Sequence, residues 1–179
     1  METADEDLAC AAGLGDRDAF ALLLERHYDM IFGLILRLTG HRYVAEDLAQ
    51  DICIGLAGKL SGFEKRARFR TWLYRVVVNA VHDWRRRETS RAKASAGWGD
   101  WEIARQAEMS DAEASKAWLA ETMSQLPEDL RDTVALILGE EMTQAAAAEV
   151  LGISEGTVAW RMSEVKRRLR AVAVAEDLA

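Results

Sequence analysis

Between Phe63 and Arg91 the chain sets nine bases, Lys65, Arg66, Arg68, Arg70, Arg75, Arg85, Arg86, Arg87 and Arg91, against three acids, Glu64, Asp83 and Glu88. Aromatic residues are interleaved with them. Phe63 and Phe69 flank the polar loop SGFEKRARF, and Trp72 and Tyr74 follow within five residues. Nucleobases stack on aromatic faces while phosphates meet guanidinium and ammonium groups, so this combination suits a single strand of nucleic acid. A plainer reading stays open: bases near a helix C-terminus complement its dipole, and Trp72 and Trp84 fall at positions that also fit a core.

A second basic stretch, LGISEGTVAWRMSEVKRRL, spans residues 151–169. From Glu155 to Arg170 it carries five bases against two acids, although the whole chain has a formal net charge of −7. Two local basic patches on an acidic protein indicate two defined contacts with a polyanion, and the overall charge discourages indiscriminate binding. Ser154 reads as a helix N-cap, Gly152 as the turn before it, and Thr143 to Leu151 as a preceding short helix. Val158, Met162, Val165 and Leu169 then line one face, while Ala159, Trp160, Ser163, Glu164 and Arg167 line the other, flanked by Arg161, Lys166 and Arg168. Two short helices joined by a glycine turn and packed through one stripe form a helix-turn-helix, whose second helix enters the major groove. An amphipathic hairpin without a nucleic-acid role shares this pattern.

The elements that position these residues are helical. With one proline, Pro127, and long segments of three-to-four-residue apolar periodicity, the 179-residue chain reads as all-α. The segment FRTWLYRVVVNAVHDWRRR, residues 69–87, places Leu73, Val76, Val77, Ala80 and Trp84 on one face and Arg75, Asn79, His82 and Arg86 on another. The segment at 44–60 buries Leu48, Ile52 and Leu56 and presents Glu46, Asp47, Gln50, Asp51, Ile54 and Ala57. Acids and an amide around an exposed isoleucine suit a protein-docking surface, or a solvated face with one stray apolar residue. Periodicity lapses in a stretch rich in Ala, Ser and Gly. The expectation is two small helical domains, 1–88 and 116–179, joined by a flexible linker at 89–115.

Several classes are excluded by the same reading. Cys10 and Cys53 stand apart from any second ligand, so no metal site or disulfide framework is expected. His27, His41 and His82 form no H-E-x-x-H motif and no glycine-rich phosphate loop is present, which argues against an enzyme or a bound cofactor. Neither a secretory signal nor an apolar run of membrane length is present, so a cytoplasmic protein without membrane insertion is expected.

In this order the parts resemble the extracytoplasmic-function sigma factors of bacterial RNA polymerase, in the sigma-70 family. AEDLAQDI is similar to the family's polymerase-binding segment, and FRTWLYRVVVNAVHDWRRR to the segment that opens promoter DNA and reads the minus-ten element. LPEDLRDTVALIL followed by LGISEGTVAWRMSEVKRRL is similar to the domain that reads the minus-thirty-five element. The resemblance implies core RNA polymerase, promoter DNA and an anti-sigma factor as partners. It places Asp47, Leu48, Gln50 and Asp51 on polymerase, and the exposed Ile54 joins them from the reading of the same helix face. Asn79 and the basic loop with Phe63, Lys65, Arg66, Arg68 and Arg70 fall on the opened strand, to which the polar stripe adds Arg75, His82 and Arg86. Thr157, Trp160 and Arg161 fall on the distal element, to which position along the same helix adds Ser154, Lys166 and Arg167 as phosphate contacts. Cys53, Gly55 and Ala57 depart from the bulkier or basic residues usual in the docking helix, and Ala159, Trp160 and Glu164 from those usual in the recognition helix. A stand-alone helix-turn-helix regulator and a sigma-like mimic are the alternatives. The first leaves the aromatic and basic middle segment unexplained.

Overall fold

Helix boundaries follow capping chemistry. The computed structural model describes residues 3–94, 123 and 125–176, and every regular element among them is helical. After α1 (Asp5–Gly13), the Asp16 carboxylate accepts the backbone N–H groups of Asp18 and Ala19 at 3.0 Å each and starts α2 (Arg17–Thr39). Gly40 ends α2 at φ 75°, a left-handed conformation that a side chain would resist. Next come α3 (Arg42–Leu60) and α4 (Phe69–Ala94). The helix α4 therefore continues through the first six residues of the expected linker, and 95–115 lies outside the described residues.

The second unit contains α5 (Glu128–Val134), a π-helical turn (Ala135–Gly139), α6 (Gln144–Leu151) and α7 (Glu155–Glu176). Thr143 caps α6 through its Oγ1, which accepts the Ala146 N–H at 3.2 Å. Gly152, at φ 67°, turns the chain, and the Ile153 N–H reaches back to the Ala148 carbonyl at 3.1 Å. Ser154 then accepts the Thr157 N–H at 3.1 Å and opens α7. The helix-turn-helix expected from the sequence is present with its predicted cap and turn.

Apolar spacing decides what is buried. Leu23, Ile31, Leu34, Ile35 and Leu38 from α2 meet Leu48, Ile52 and Leu56 from α3 and Phe69, Leu73, Val77 and Val81 from α4. The same continuous cluster also takes in Ala135 and Leu136 of the π-turn, Ala147, Ala148 and Val150 of α6, and Val158 of α7. A smaller cluster, Leu126, Leu130, Val134, Met162 and Val165, holds α5 to α7. The two units read from the sequence thus share apolar surface. Full burial of one residue such as Leu136 contributes about 1.5–3 kcal/mol. The helix α4 carries two buried stripes because it packs on α2 and α3 on one side and α6 on the other, so Val78, which has no place on the predicted stripe, is buried as well.

Candidate nucleic-acid interface

On α3, Asp47, Gln50, Asp51 and Ile54 are exposed, Ile54 with 78% of its surface in solvent. Leu48 faces the core and supports the helix from beneath. Asp47 and Asp51 also line one wall of a groove of about 240 Å³, whose other wall is Trp84, Arg87 and Arg91 of α4. Carboxylates and guanidinium groups therefore share one depression beside the exposed isoleucine.

The loop before α4 is pinned from behind. Lys65 adopts a left-handed backbone, φ 53°, and donates to Asp7 at 2.7 Å, while Arg66 pairs with Glu64 at 2.5 Å. Glu6 accepts the Phe69 N–H at 3.0 Å. Arg68 and Arg70 are exposed, and Arg70 donates to the Tyr74 hydroxyl at 3.1 Å. The aromatic residues are not a solvent-facing platform in this conformation. Phe63 and Phe69 are buried, with ring centroids 5.7 Å apart, and Trp72 packs 5.4 Å from Phe63 and 5.8 Å from Phe69. Phe63, expected on the opened strand, is part of the packing that fixes the loop.

Along α4, Arg75, Asn79 and Arg86 are exposed and His82 is half-buried, so the polar stripe exists. Much of it meets acceptors from the second unit. Arg75 donates through Nε and Nη2 to the Glu149 carbonyl at 2.9 and 2.6 Å. His82 Nε2 lies 2.6 Å from Asp132 Oδ2. Arg85 Nη1 donates to both Asp132 oxygens at 2.9 and 3.1 Å, and its Nη2 to the Leu38 carbonyl at 2.6 Å. Asp132 is only 2% exposed and Arg85 7%. Nearer the start of α4, Glu140 accepts from Arg37 and, at 2.5 Å, from the Tyr74 hydroxyl. Arg86 pairs instead with Asp83 on its own helix.

Neither Arg85 nor Asp132 was singled out by sequence spacing as a functional position. Arg85 is one base in a basic run, and its partner stands 47 residues away. The available signal is an acid two residues from both Leu130 and Val134, at the start of the apolar run in LRDTVALIL.

Burial pushes the Tyr74 phenol up to about 12, with the bond to Glu140 adding to the effect. The ordinary value is about 10. Because the folded chain holds this proton more tightly than the unfolded one, the stability it contributes is intact below pH 10 and is lost between pH 10 and about 12. Spectrophotometric titration near 295 nm is expected to show one of the three tyrosines ionising late, and the Tyr74→Phe variant to lack that late step.

On α7, Trp160 is 61% exposed, and Lys166 and Arg167 also face solvent. Ser154 and Thr157 sit at its N-terminus with their hydroxyls 2.8 Å apart. Arg161 turns inward toward α5: its Nε lies 3.4 Å from Asp129 Oδ2, at ion-pair distance but without hydrogen-bond geometry, and its guanidinium is largely covered. Glu164 accepts from Arg167 at 2.7 Å twice and from Arg168 at 2.8 Å. Those two arginines hold its carboxyl down at about 2. Part of the basic charge on this helix is therefore neutralised in place, and Lys166 and Arg170 extend beyond the pairing.

Among the described residues no helix is long and apolar enough to cross a membrane, and no group of His, Cys, Asp or Glu is placed to hold a metal ion. Cys10 and Cys53 are both free and half-buried, and burial pushes the Cys53 thiol up.

Comparison with known proteins gives matches along both units. The family description of Sigma-70 region 2 matches residues 23–91, and that of Sigma-70, region 4 matches residues 116–169. The ECF RNA polymerase sigma factor SigM of Mycobacterium tuberculosis is 31% identical over 170 residues, covering 94% of this chain and 84% of its own. The ECF RNA polymerase sigma factor SigW of Bacillus subtilis is 28% identical over 167 residues, covering 87% and 89%. Among solved structures, CnrH in complex with the cytosolic domain of CnrY has a TM-score of 0.72 at 27% identity and covers 97% of this chain and 99% of that one. The sigma factor RpoE of Bartonella quintana, solved with the anti-sigma factor NepR, shares the fold with a TM-score of 0.71 at 22% identity, covering 86% and 96%.

Proposed function

The chain belongs to the extracytoplasmic-function sigma factors of the sigma-70 family, which direct core RNA polymerase to promoters and initiate transcription, and we propose that it divides this work among three faces. Asp47, Gln50, Asp51 and Ile54 of α3 dock on polymerase. The basic loop from Phe63 to Arg70 and the α4 residues Arg75, Asn79, His82 and Arg86 hold the opened strand at the minus-ten element. Ser154, Thr157, Trp160, Arg161, Lys166 and Arg167 of α7 meet the minus-thirty-five element. The observation that carries this division is exposure: Ile54, Asn79 and Trp160 are solvent-facing on three different helices, each backed by a buried stripe of its own.

The phosphodiester chemistry is left to the core enzyme, and the protein acts in the cytoplasm where that enzyme works. Control by an anti-sigma factor is part of the same reading, supported by the likeness to CnrH, solved with the cytosolic domain of CnrY. A mimic that only titrates an anti-sigma factor has no use for two basic DNA faces, and this chain retains both. Transcription by purified core polymerase on a genomic promoter library, with and without this protein, tests the reading. Transcripts starting at a defined subset of promoters only when it is added are expected, and their absence overturns it.

Within α7 the proposal separates positioning from selection. Lys166 and Arg167 lie too far along the helix to reach base edges and meet phosphates. Trp160, at the depth of the major groove, covers a thymine methyl. Arg161 reads a base only after releasing Asp129, so its contribution is expected to be smaller than that of Trp160. The Arg167→Ala variant is expected to weaken binding to all promoters alike and flatten the salt dependence by about one phosphate contact. Trp160→Ala is expected to change preference at one or two upstream positions by roughly 1–3 kcal/mol. Selection from a randomised upstream element, repeated at two salt concentrations, checks both.

A further inference from the structure

Part of the polar stripe of α4, at Arg75, His82 and the adjoining Arg85, meets acceptor atoms of the second unit. Asp132 is almost completely buried and takes both of its oxygens to Arg85 Nη1, with His82 Nε2 against one of them, at 2.6–3.1 Å. Both bonds from Arg85 come from one nitrogen, Nη1, a charge-assisted contact to paired anionic oxygens that a phosphate can also accept. Arg85 is aimed by its own unit, because its Nη2 is fixed to the Leu38 carbonyl at 2.6 Å. The guanidinium therefore keeps its direction, Nη1 outward, when Asp132 leaves. Arg75, one of the exposed residues of the same stripe, is likewise engaged by a second-unit acceptor, the Glu149 carbonyl.

We infer that His82 and Arg85 form a binding site for a backbone phosphate of the opened strand, and that Asp132 fills this site as an internal substitute while the two units are packed together. The inference deepens the reading of α4 given above and rests on it. It adds Arg85 to the strand-holding residues and makes DNA binding conditional on separation of the units. Distance requires that separation. The minus-ten and minus-thirty-five elements are about 25 base pairs apart, or roughly 85 Å of duplex at ~3.4 Å per step. A compact chain of this length is only about 40 Å across. The chain that spans a promoter is therefore open, and His82 and Arg85 are then free to exchange a carboxylate for a phosphate.

Binding of the full chain to a fluorescein-labelled, random-sequence single-stranded DNA 20-mer, followed by anisotropy over a range of salt, tests this directly. Asp132→Asn is expected to bind at least 10-fold more tightly than wild type, with a log–log salt slope steeper by about 0.7 for each phosphate gained. Adding Arg85→Gln to Asp132→Asn is expected to return affinity and slope to the wild-type values. Glu25→Gln removes one exposed carboxylate of α2 and controls for charge alone, with an expected change below 2-fold. Should circular dichroism show Asp132→Asn to be unfolded, Glu140→Gln carries the test. It loosens the second polar cluster between the units without touching Asp132, and a gain above that of Glu25→Gln is again expected. A change no larger than that of Glu25→Gln, in whichever variant is folded, overturns the inference, as does tight binding that survives Arg85→Gln. Promoter-dependent transcription by wild type together with no gain here removes this inference alone, whereas absence of transcription removes the reading beneath it.

Discussion

Asp47→Lys combined with Ile54→Arg is expected to lower affinity for core polymerase by about 100-fold while leaving the helical circular dichroism unchanged. Ile54 has 78% of its surface in solvent and contributes little to the core. An exposed isoleucine ringed by Asp47, Gln50 and Asp51 has the form of an interface anchor, an apolar side chain that becomes fully desolvated inside a polar rim. Removing such an anchor and placing a charge in its pocket costs about 2–4 kcal/mol in measured interfaces, which corresponds to the stated fold-change. Asp47 contributes differently, by steering association, so its reversal alone is expected to act mainly on the on-rate and to fade at high salt. Co-elution with core polymerase and a competition assay at two salt concentrations separate the two contributions. Unchanged affinity of the double variant sinks the assignment of this face.

Phe69→Ala is expected to destabilise the protein by about 3–5 kcal/mol, a large part of the 5–15 kcal/mol typical of a domain. Phe69 is fully buried where α4 begins and packs against the rings of Phe63, Trp72 and His27 at centroid distances of 5.2–5.8 Å. Its backbone N–H is also tied to Glu6, so the residue joins α1, the basic loop and α4 at one point. Truncation leaves a cavity that three rings on separate elements cannot close without moving the loop. Urea denaturation is expected to show a lower midpoint with little change in slope, and binding to single-stranded DNA to weaken even where the variant remains folded, because Lys65, Arg66 and Arg68 lose their support. A midpoint shift equivalent to less than about 1 kcal/mol contradicts this account of the loop.

Local chemistry was legible in the sequence because its determinants are close together. Ser154 caps the residue three positions later, Gly152 supplies the turn, and Val158, Met162 and Val165 recur at the helical period, so α7 was placed with its correct buried face. The outward position of Ile54 followed from the same arithmetic on α3. What was not legible depends on which surfaces meet. Arg75 and His82 were placed on one polar stripe, which they occupy, but nothing in their spacing shows that Glu149 and Asp132 cover them. Phe63 read as loop and is buried, because a polar loop can be anchored by inward-facing rings at its ends. Arg161 read as outward and turns in, because a long side chain at the edge of a helix face has two directions open to it and Asp129 decides between them.

The π-turn at Ala135–Gly139 constrains the length of the chain. Its bonds reach one residue further than those of an α-helix, as in the Glu140 N–H to the Ala135 carbonyl at 3.1 Å, so the turn holds one residue more than regular winding needs. Deleting that residue, Leu138 for example, restores α-helical winding and rotates everything beyond it by about 100° relative to α5. Glu140 then swings away from Arg37 and Tyr74, although neither it nor they have changed identity. Gly139 lies directly under the Arg37 side chain, whose Cδ and Nε are 2.8 Å from where a β-carbon would stand, so this part of the turn is also fitted to the opposite unit. Relatives that retain this union of the two units are therefore expected to vary in the chemistry of the turn but not in its residue count, and a one-residue gap here in an aligned relative marks a chain whose halves meet in some other way.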